Sequence, residues 1–436
     1  MKENMKNKKI IQNAKWIIVC KVAQSLIQLV VGMLSARYLG PANYGLINYA
    51  ASVVAFAIPI MELGLPDILL REYIETPEQE GQVLGTGLVM NMVAAVACII
   101  GVTSFVAGAN SGERITIIVC ALYSTSLFFR GIEMVRYWFQ VKLLSQYSSL
   151  ALLGSYVVVS AYKIYLLVTA KSVYWFALSH AVEYGVTGLI LLITYKKIGT
   201  QKLSFSAALA KRMLSKSKHY ILAALMVVSF NSTASILMKL IIGEHENGYY
   251  AAALTSISVT QFIYSAIIDS ARPVILENKK TDPKQFEVSI SRLYCVIIYL
   301  SLAQSVFFCT FAELIIRILY GTDYLAGIPV LRIMSWQTAF SCMGSIRNVW
   351  ILAEEKYSKL WIINLCGAIT NVALNIYLIP QSGACGAAVA SVLTQFITNF
   401  VIGFTMKDIR ENNRLLLAGL NPRFAWETLR KLVQTR

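Results

Sequence analysis

Charge is what this 436-residue chain has least of. Asp, Glu, Lys and Arg make up 14% of it, against roughly a quarter of an ordinary soluble domain. With 57% hydrophobic residues and a mean hydropathy of +0.60, that shortage excludes a typical soluble globule and implies a polytopic membrane protein. Histidine is scarce as well: three scattered copies remove most metal-site readings. The eight cysteines form no C-x-x-C pair and sit in or beside apolar runs, the pattern of small buried hydrophobes. No cofactor is expected. Acids are outnumbered 23 to 39 by Lys and Arg, a net charge of +16. These cations crowd into short connections and tails, so the excess reads as membrane orientation and no nucleic-acid partner is expected.

Apolar stretches of spanning length fall roughly at 14–36, 45–65, 83–106, 115–139, 148–169 and 173–194. A second set falls at 219–242, 248–269, 288–312, 327–352, 359–380 and 384–406. Runs of about twenty residues without dyad alternation mean helices, since only helices or closed barrels satisfy the backbone in lipid. The expected fold is therefore all-α, with twelve transmembrane helices. The first span follows a basic segment but precedes no A-x-A cleavage site, so it is expected to stay uncleaved. With the N-terminus inside, the inside segments hold 27 Lys and Arg and the outside connections four (Arg37, Arg114, Lys171 and Arg317). Both termini are thus expected to be cytoplasmic. Basic amphipathic segments at 202–218 and 421–433 read as helices lying on the inner leaflet. The expected organisation is an N-terminal six-helix lobe (1–200), an amphipathic linker (201–218), a C-terminal lobe (219–406) and a basic tail with an amphipathic helix (407–436).

The two lobes carry an internal echo. Leu39-Gly40-Pro41-Ala42-Asn43-Tyr44-Gly45 follows the first span, and Ile242-Gly243-Glu244-His245-Glu246-Asn247-Gly248 follows the seventh. Tyr147-Ser148-Ser149-Leu150 and Tyr357-Ser358-Lys359-Leu360 open the fifth span of each half. Offsets of 203 and 210 residues imply two parallel six-helix repeats, with a substrate site expected where such halves face each other.

Into these spans the sequence places eight charges: Lys21, Arg130, Glu133, Lys163, Glu183, Lys239, Arg332 and Arg347. Each costs about 2.5–3.5 kcal/mol at a helix centre on insertion scales. They are therefore expected to line a wet interior or to pair with one another. Bases exceed acids, which suits an anion. Arg130, Glu133 and Arg136 are spaced i, i+3, i+6, which fits either a salt-bridge ladder along one helix or an Arg130 that meets cargo while Glu133 restrains it. Glu183, one turn after His180, is either a counter-charge for Lys163 or Arg130, or a carboxylate that exchanges protons or sodium. Lys163 and Arg347 read as mostly interfacial.

Arg37-Tyr38-Leu39-Gly40-Pro41-Ala42-Asn43-Tyr44-Gly45 resembles the R-Y-L-G-P-x-x-Y-G signature of the bacterial polysaccharide (O-antigen, Wzx-like) flippases. These belong to the multidrug/oligosaccharidyl-lipid/polysaccharide exporter superfamily. Glu62-Leu63-Gly64-Leu65-Pro66 and Leu319-Tyr320-Gly321-Thr322-Asp323-Tyr324 fit the same family, and the similarity runs over essentially the whole chain. The resemblance implies V-shaped, MATE-like lobes with a cationic central cavity in the bacterial cytoplasmic (inner) membrane. It implies translocation of an undecaprenyl-diphosphate-linked oligosaccharide for O-antigen, capsule or exopolysaccharide synthesis, in company with membrane lipids and the polymerase and glycosyltransferases of the pathway. A diphosphate needs compensating cations in a low-dielectric path, and Arg130, Lys21, Lys239 and Arg332 are the residues expected to supply them. Coupling to a proton or sodium gradient through Glu183 stands beside the counter-charge role for Glu183 and Glu133. The alternatives are a drug or cation exporter of the same superfamily, disfavoured by the basic interior, and a multispanning polymerase, disfavoured by the short outside connections. No enzymatic activity is expected.

Overall fold

The computed structural model describes the backbone of residues 2–199, 201–424 and 430, and within these the side chains of residue 20 onward except 21, 22 and 26. Among the described residues there are helices and turns and no strand. The chain divides into two compact units, Met1–Val228 and Ser229–Arg436.

Unit 1 begins with α1 (Lys2–Glu62), which is two helices joined across Gly40. There φ is +70° and ψ 172°, a region open essentially to glycine alone. α2 (Leu65–Glu75) resumes after a break, and α3 (Glu80–Ala109) crosses back. The expected fourth span is three short helices, α4 (Arg114–Ser124), α5 (Ser126–Glu133) and α6 (Arg136–Val141). α7 (Ser145–Val168) and α8 (Val173–Ile198) complete the lobe, with α7 packed along α1 and α8 along α5. Leu65, Leu69, Leu84, Trp138, Phe139 and Leu191 form its core.

The linker docks on this unit. Ser204 N–H donates to the Gly81 carbonyl, Gly81 N–H to Gln201 Oε1 at 2.9 Å, and Ser206 N–H to Thr86 Oγ1 at 3.0 Å. α9 (Ala207–Ile241) follows, and the boundary between the units falls inside it. Of the apolar residues in the 202–218 segment, Leu209 and Met213 are buried in the unit 1 core, whereas Leu203 and Leu214 are exposed. Glu72 on α2 is 1% exposed, and a buried carboxylate requires partners. It has two, Arg212 and, at 3.2 Å, Lys216, both from α9.

Unit 2 continues with α10 (Glu244–Ser258), α11 (Gln261–Thr281) and α12 (Pro283–Leu319). After a 3₁₀ turn come α13 (Ile328–Met334) and α14 (Gln337–Ala353). α15 (Leu360–Phe396) is again two helices, broken at Ser382–Gly383, where the Glu246 carboxylate accepts the Ala384 N–H at 2.8 Å. A π-helical turn (Ile397–Val401) leads into α16 (Ile402–Thr405). The tail helix expected at 421–433 lies largely outside the described residues. What is seen is α17 (Arg410–Leu420), which folds back along α12 and buries Asn412, Leu415 and Leu416.

Nine stretches among the described residues are long and apolar enough to cross a bilayer. Two of them, Ala23–Glu75 and Tyr357–Thr405, are each broken into two, and the expected tenth span is split between α13 and α14. That is consistent with twelve crossings. Val93, Ile100, Val168, Ile369 and Tyr377 are each more than 60% exposed, as side chains facing hydrocarbon would be.

The repeat read from sequence recurs in backbone conformation. Gly243 takes φ +125°, ψ 179°, beside Gly40 at +70° and 172°. Leu143 and Glu355, just ahead of the second echo, are both left-handed at φ 56° and 55°. Each closes a helix in the same way: Leu144 N–H bonds Phe139 O, and Lys356 N–H bonds Ile351 O. This is the six-to-one bond of a Schellman cap.

Candidate functional site

The break between α1 and α2 organises the site. Leu63 and Gly64 are both left-handed (φ 52° and 64°), and Pro66 restarts the helix at α2. Glu62 is thus the last residue of α1. Sequence alone suggested that this motif closes the second span, and α1 does end there, with the Glu62 carboxylate turned toward α5. Arg130 Nε donates to Glu62 Oε1 at 3.1 Å, and its Nη1 donates to the Tyr184 hydroxyl of α8 at 2.8 Å. The guanidinium carbon lies 5.3 Å from the Tyr184 ring centroid.

Glu133 acts on Arg130 through its charge but forms its ion pair with Arg136. Its carboxylate, 5% exposed, accepts from Arg136 at 2.7 Å. Arg136 also donates to the Tyr137 hydroxyl at 2.9 Å and sits 4.9 Å from that ring's centroid. Half of the i, i+3, i+6 ladder therefore forms. The other half gives way to Glu62, whose carboxylate comes from 68 residues away in sequence.

Between these pairs lies a small pocket of about 10 Å³, room for about one water. Glu62, Asn91, Arg130, Glu133, Arg136 and Tyr137 supply its polar lining, and Pro66 and Met134 its apolar floor. Asn91 is 1% exposed, and its Oδ1 has no hydrogen-bond partner. Its Nδ2 reaches only the Met134 sulfur at 3.6 Å. The formal charge of the lining is zero, two arginines against two glutamates.

A second cluster lies on α7 and α8. His180 Nδ1 is 3.8 Å from the Glu183 carboxylate, and Tyr156 and Lys163 are within its electrostatic reach. The Tyr123 ring packs on His180 at 4.6 Å. Lys163 is accordingly half-buried beside an acid and is not simply interfacial.

In unit 2, Lys239 is 6% exposed and donates to Glu244 Oε2 at 2.8 Å. Arg332 on α13 is exposed and makes no ion pair among the described residues. The Lys21 side chain lies outside the described residues. Arg347, expected to be mostly interfacial, is buried inside the protein. It is 4% exposed, its Nη1 donates to the Thr398 carbonyl in the π-helical turn at 2.8 Å, and its Nε is unpartnered. It also has no carboxylate partner among the described residues. Of the expected site residues, the structure brings Arg130 and Glu133 to one pocket, which Glu62 and Asn91 complete. Glu62 was visible in the sequence as an acid closing an apolar run. Asn91 carried no signal beyond an amide inside a span.

A model of the family described as polysaccharide biosynthesis protein matches residues 10–279. The chain belongs to that family. The capsular polysaccharide biosynthesis protein CapF of Staphylococcus aureus is 20% identical over 401 residues, covering 89% of this chain and 97% of that protein. The fold resembles the lipid II flippase MurJ in an inward closed conformation, with a TM-score of 0.72 and 15% identity over 93% of this chain and 90% of that one. It also resembles an inward-facing multidrug resistance MATE transporter of the MOP superfamily, with a TM-score of 0.66 and 14% identity over 91% and 95%. At these identities the structural likeness is one of fold.

Proposed function

We propose that this chain is a flippase that moves undecaprenyl-diphosphate-linked oligosaccharide across the bacterial cytoplasmic membrane by alternating access, for surface polysaccharide synthesis. The observation that carries the reading is that a member of the polysaccharide biosynthesis family shares its fold with a lipid II flippase. The strong bias of Lys and Arg toward one set of connections supports cytoplasmic termini. Arg130, Lys21, Lys239 and Arg332 attend the diphosphate, with Arg332 the one whose guanidinium makes no ion pair among the described residues. Glu183, beside His180 on α8, is the carboxylate through which a proton or sodium gradient would act. A polymerase and glycosyltransferases would supply and consume the cargo. An organic-cation exporter would need a net acidic site, and the unit 1 pocket balances two arginines against two glutamates.

The test is deletion of the gene followed by analysis of undecaprenyl-linked intermediates. Build-up of the complete lipid-linked unit on the cytoplasmic side is the expected result. Short-chain sugar at the surface would point to a polymerase instead, and an unchanged lipid pool and polymer would overturn the reading.

A further inference from the structure

We infer that the linker carries a binding site for anionic phospholipid of the inner leaflet, built by Lys202, Leu203, Phe205, Lys211, Leu214 and Lys218. The site goes beyond the flippase reading and does not depend on it.

Sequence alone makes 202–218 one amphipathic helix, with Leu209 and Met213 on the face turned to lipid. The structure offers the leaflet a different surface. Residues 202–206 are not helical. They form a strap seated on two glycines one turn apart on α3. A Cβ at Gly81 would lie 2.4 Å from the Lys202 carbonyl oxygen, and one at Gly85 2.4 Å from that of Ser204. Only glycine lets the strap's backbone come this close. The amides of Ser204 and Ser206 fasten it, to the Gly81 carbonyl and, at 3.0 Å, to Thr86 Oγ1. Gly85 and Thr86 belong to the apolar run that opens near residue 83. The strap therefore lies level with the inner end of a spanning helix, at headgroup depth.

That seating decides which side chains stay free. Leu209 and Met213 are spent on the unit 1 core, and Arg212 and Lys216 on Glu72. Leu203, Phe205 and Leu214 remain 40%, 53% and 53% exposed. Lys202, Lys211 and Lys218 are exposed and make no ion pair among the described residues. No acid occurs anywhere from residue 184 to residue 243, so nothing in the segment repels a lipid phosphate. Cations interspersed with large apolar side chains at this depth suit an anionic phospholipid, whose phosphate meets lysine while its glycerol and upper acyl chain cover Phe205. A zwitterionic lipid would set its own cation among the lysines. An acidic soluble protein would answer the charge and leave the apolar side chains without a role.

The experiment releases the purified full chain from nanodiscs holding phosphatidylglycerol and phosphatidylcholine, and reads the retained lipids by native mass spectrometry. A lysine near an anionic surface strengthens binding by roughly fivefold. Wild type should therefore favour phosphatidylglycerol by roughly tenfold or more, three such cations being partly screened by salt. Lys202→Gln/Lys211→Gln/Lys218→Gln should lose most of that preference. Leu203→Ser/Phe205→Ser should lower retention of both lipids several-fold, since the apolar contact is common to them. Lys407→Gln/Arg410→Gln/Arg414→Gln, which removes the same charge from exposed positions at α17, should leave the preference unchanged. Melting temperatures should hold throughout, because every substituted side chain is exposed. A wild type without preference, or a linker lysine variant that keeps it, would overturn the site. So would an equal loss in the α17 variant, which would make net charge the cause. Full retention in the serine variant would also overturn it, because cations alone would then be read, as an acidic protein would read them.

Discussion

Removing the Glu62 carboxylate should cost the protein both stability and transport, because Arg130 then keeps its charge inside the membrane without a counter-ion. At the observed 3.1 Å, the gross attraction is about 5 kcal/mol at an effective dielectric of ~20. Most of that is offset by the desolvation of both groups. The two side chains are 24% and 25% exposed, so the pair lies between the surface limit of about 0.2–1 kcal/mol and the buried limit of about 3–5 kcal/mol. A loss of about 2 kcal/mol for Glu62→Gln follows. For a unit of this size that amounts to roughly 4–8 °C in melting temperature.

A double-mutant cycle separates the pair from its surroundings. Arg130→Gln also loses the bond to Tyr184, so its own cost should be at least as large. Combining it with Glu62→Gln should cost less than the sum, by a coupling of about 1–2 kcal/mol. The measurement is thermal unfolding of the four proteins in the same nanodiscs, with polymer display scored in parallel. A coupling below ~0.3 kcal/mol would falsify the claim that Glu62 is the working partner of Arg130. Loss of display in Arg130→Gln at normal membrane abundance is the expected functional arm.

Gly40→Ala and Gly243→Ala should each cost about 1–3 kcal/mol, since both positions combine positive φ with ψ near 180°; melting curves would show it, and a neutral pair would mean that the two turns can relax. Glu72→Gln should loosen the linker by removing the shared partner of Arg212 and Lys216, so limited trypsin digestion should cut at Lys202 and Lys211 several-fold faster; an unchanged cleavage rate would count against the docking. Arg347→Met should be tolerated within about 1 kcal/mol, because Arg347 has no carboxylate among the described residues to leave orphaned and only the Thr398 carbonyl and the Asn348 Oδ1, the latter at 3.4 Å, lose a donor; a loss beyond ~3 kcal/mol would show that the guanidinium has a charged partner of its own.

The features legible in the sequence are those written in consecutive residues. Span length, the bias of cations and the glycine echo are all local. The last reappears as matched backbone at Gly40 and Gly243 and as matched caps at Leu143 and Glu355. What was hidden is pairing. Arg130 had an acid three residues on, and helical spacing made Glu133 the natural partner. The break at Leu63–Gly64 brought Glu62 to it instead, and Glu133 went to Arg136. The same limit governs the electrostatic inference. Counting charges along the spans gave a basic interior, but charge in low dielectric acts through what lies within a few ångströms. Around Arg130 the neighbours cancel it. A cationic path for diphosphate, if Arg130 belongs to it, therefore has to be exposed by motion that draws Arg130 from Glu62, which makes that pair a gate as much as a binding element. On this argument Glu62→Gln, which frees Arg130 permanently, should hold bare undecaprenyl diphosphate more tightly while transporting more slowly. Binding measured beside a flipping assay would separate the two, and parallel losses in both would refute the gate.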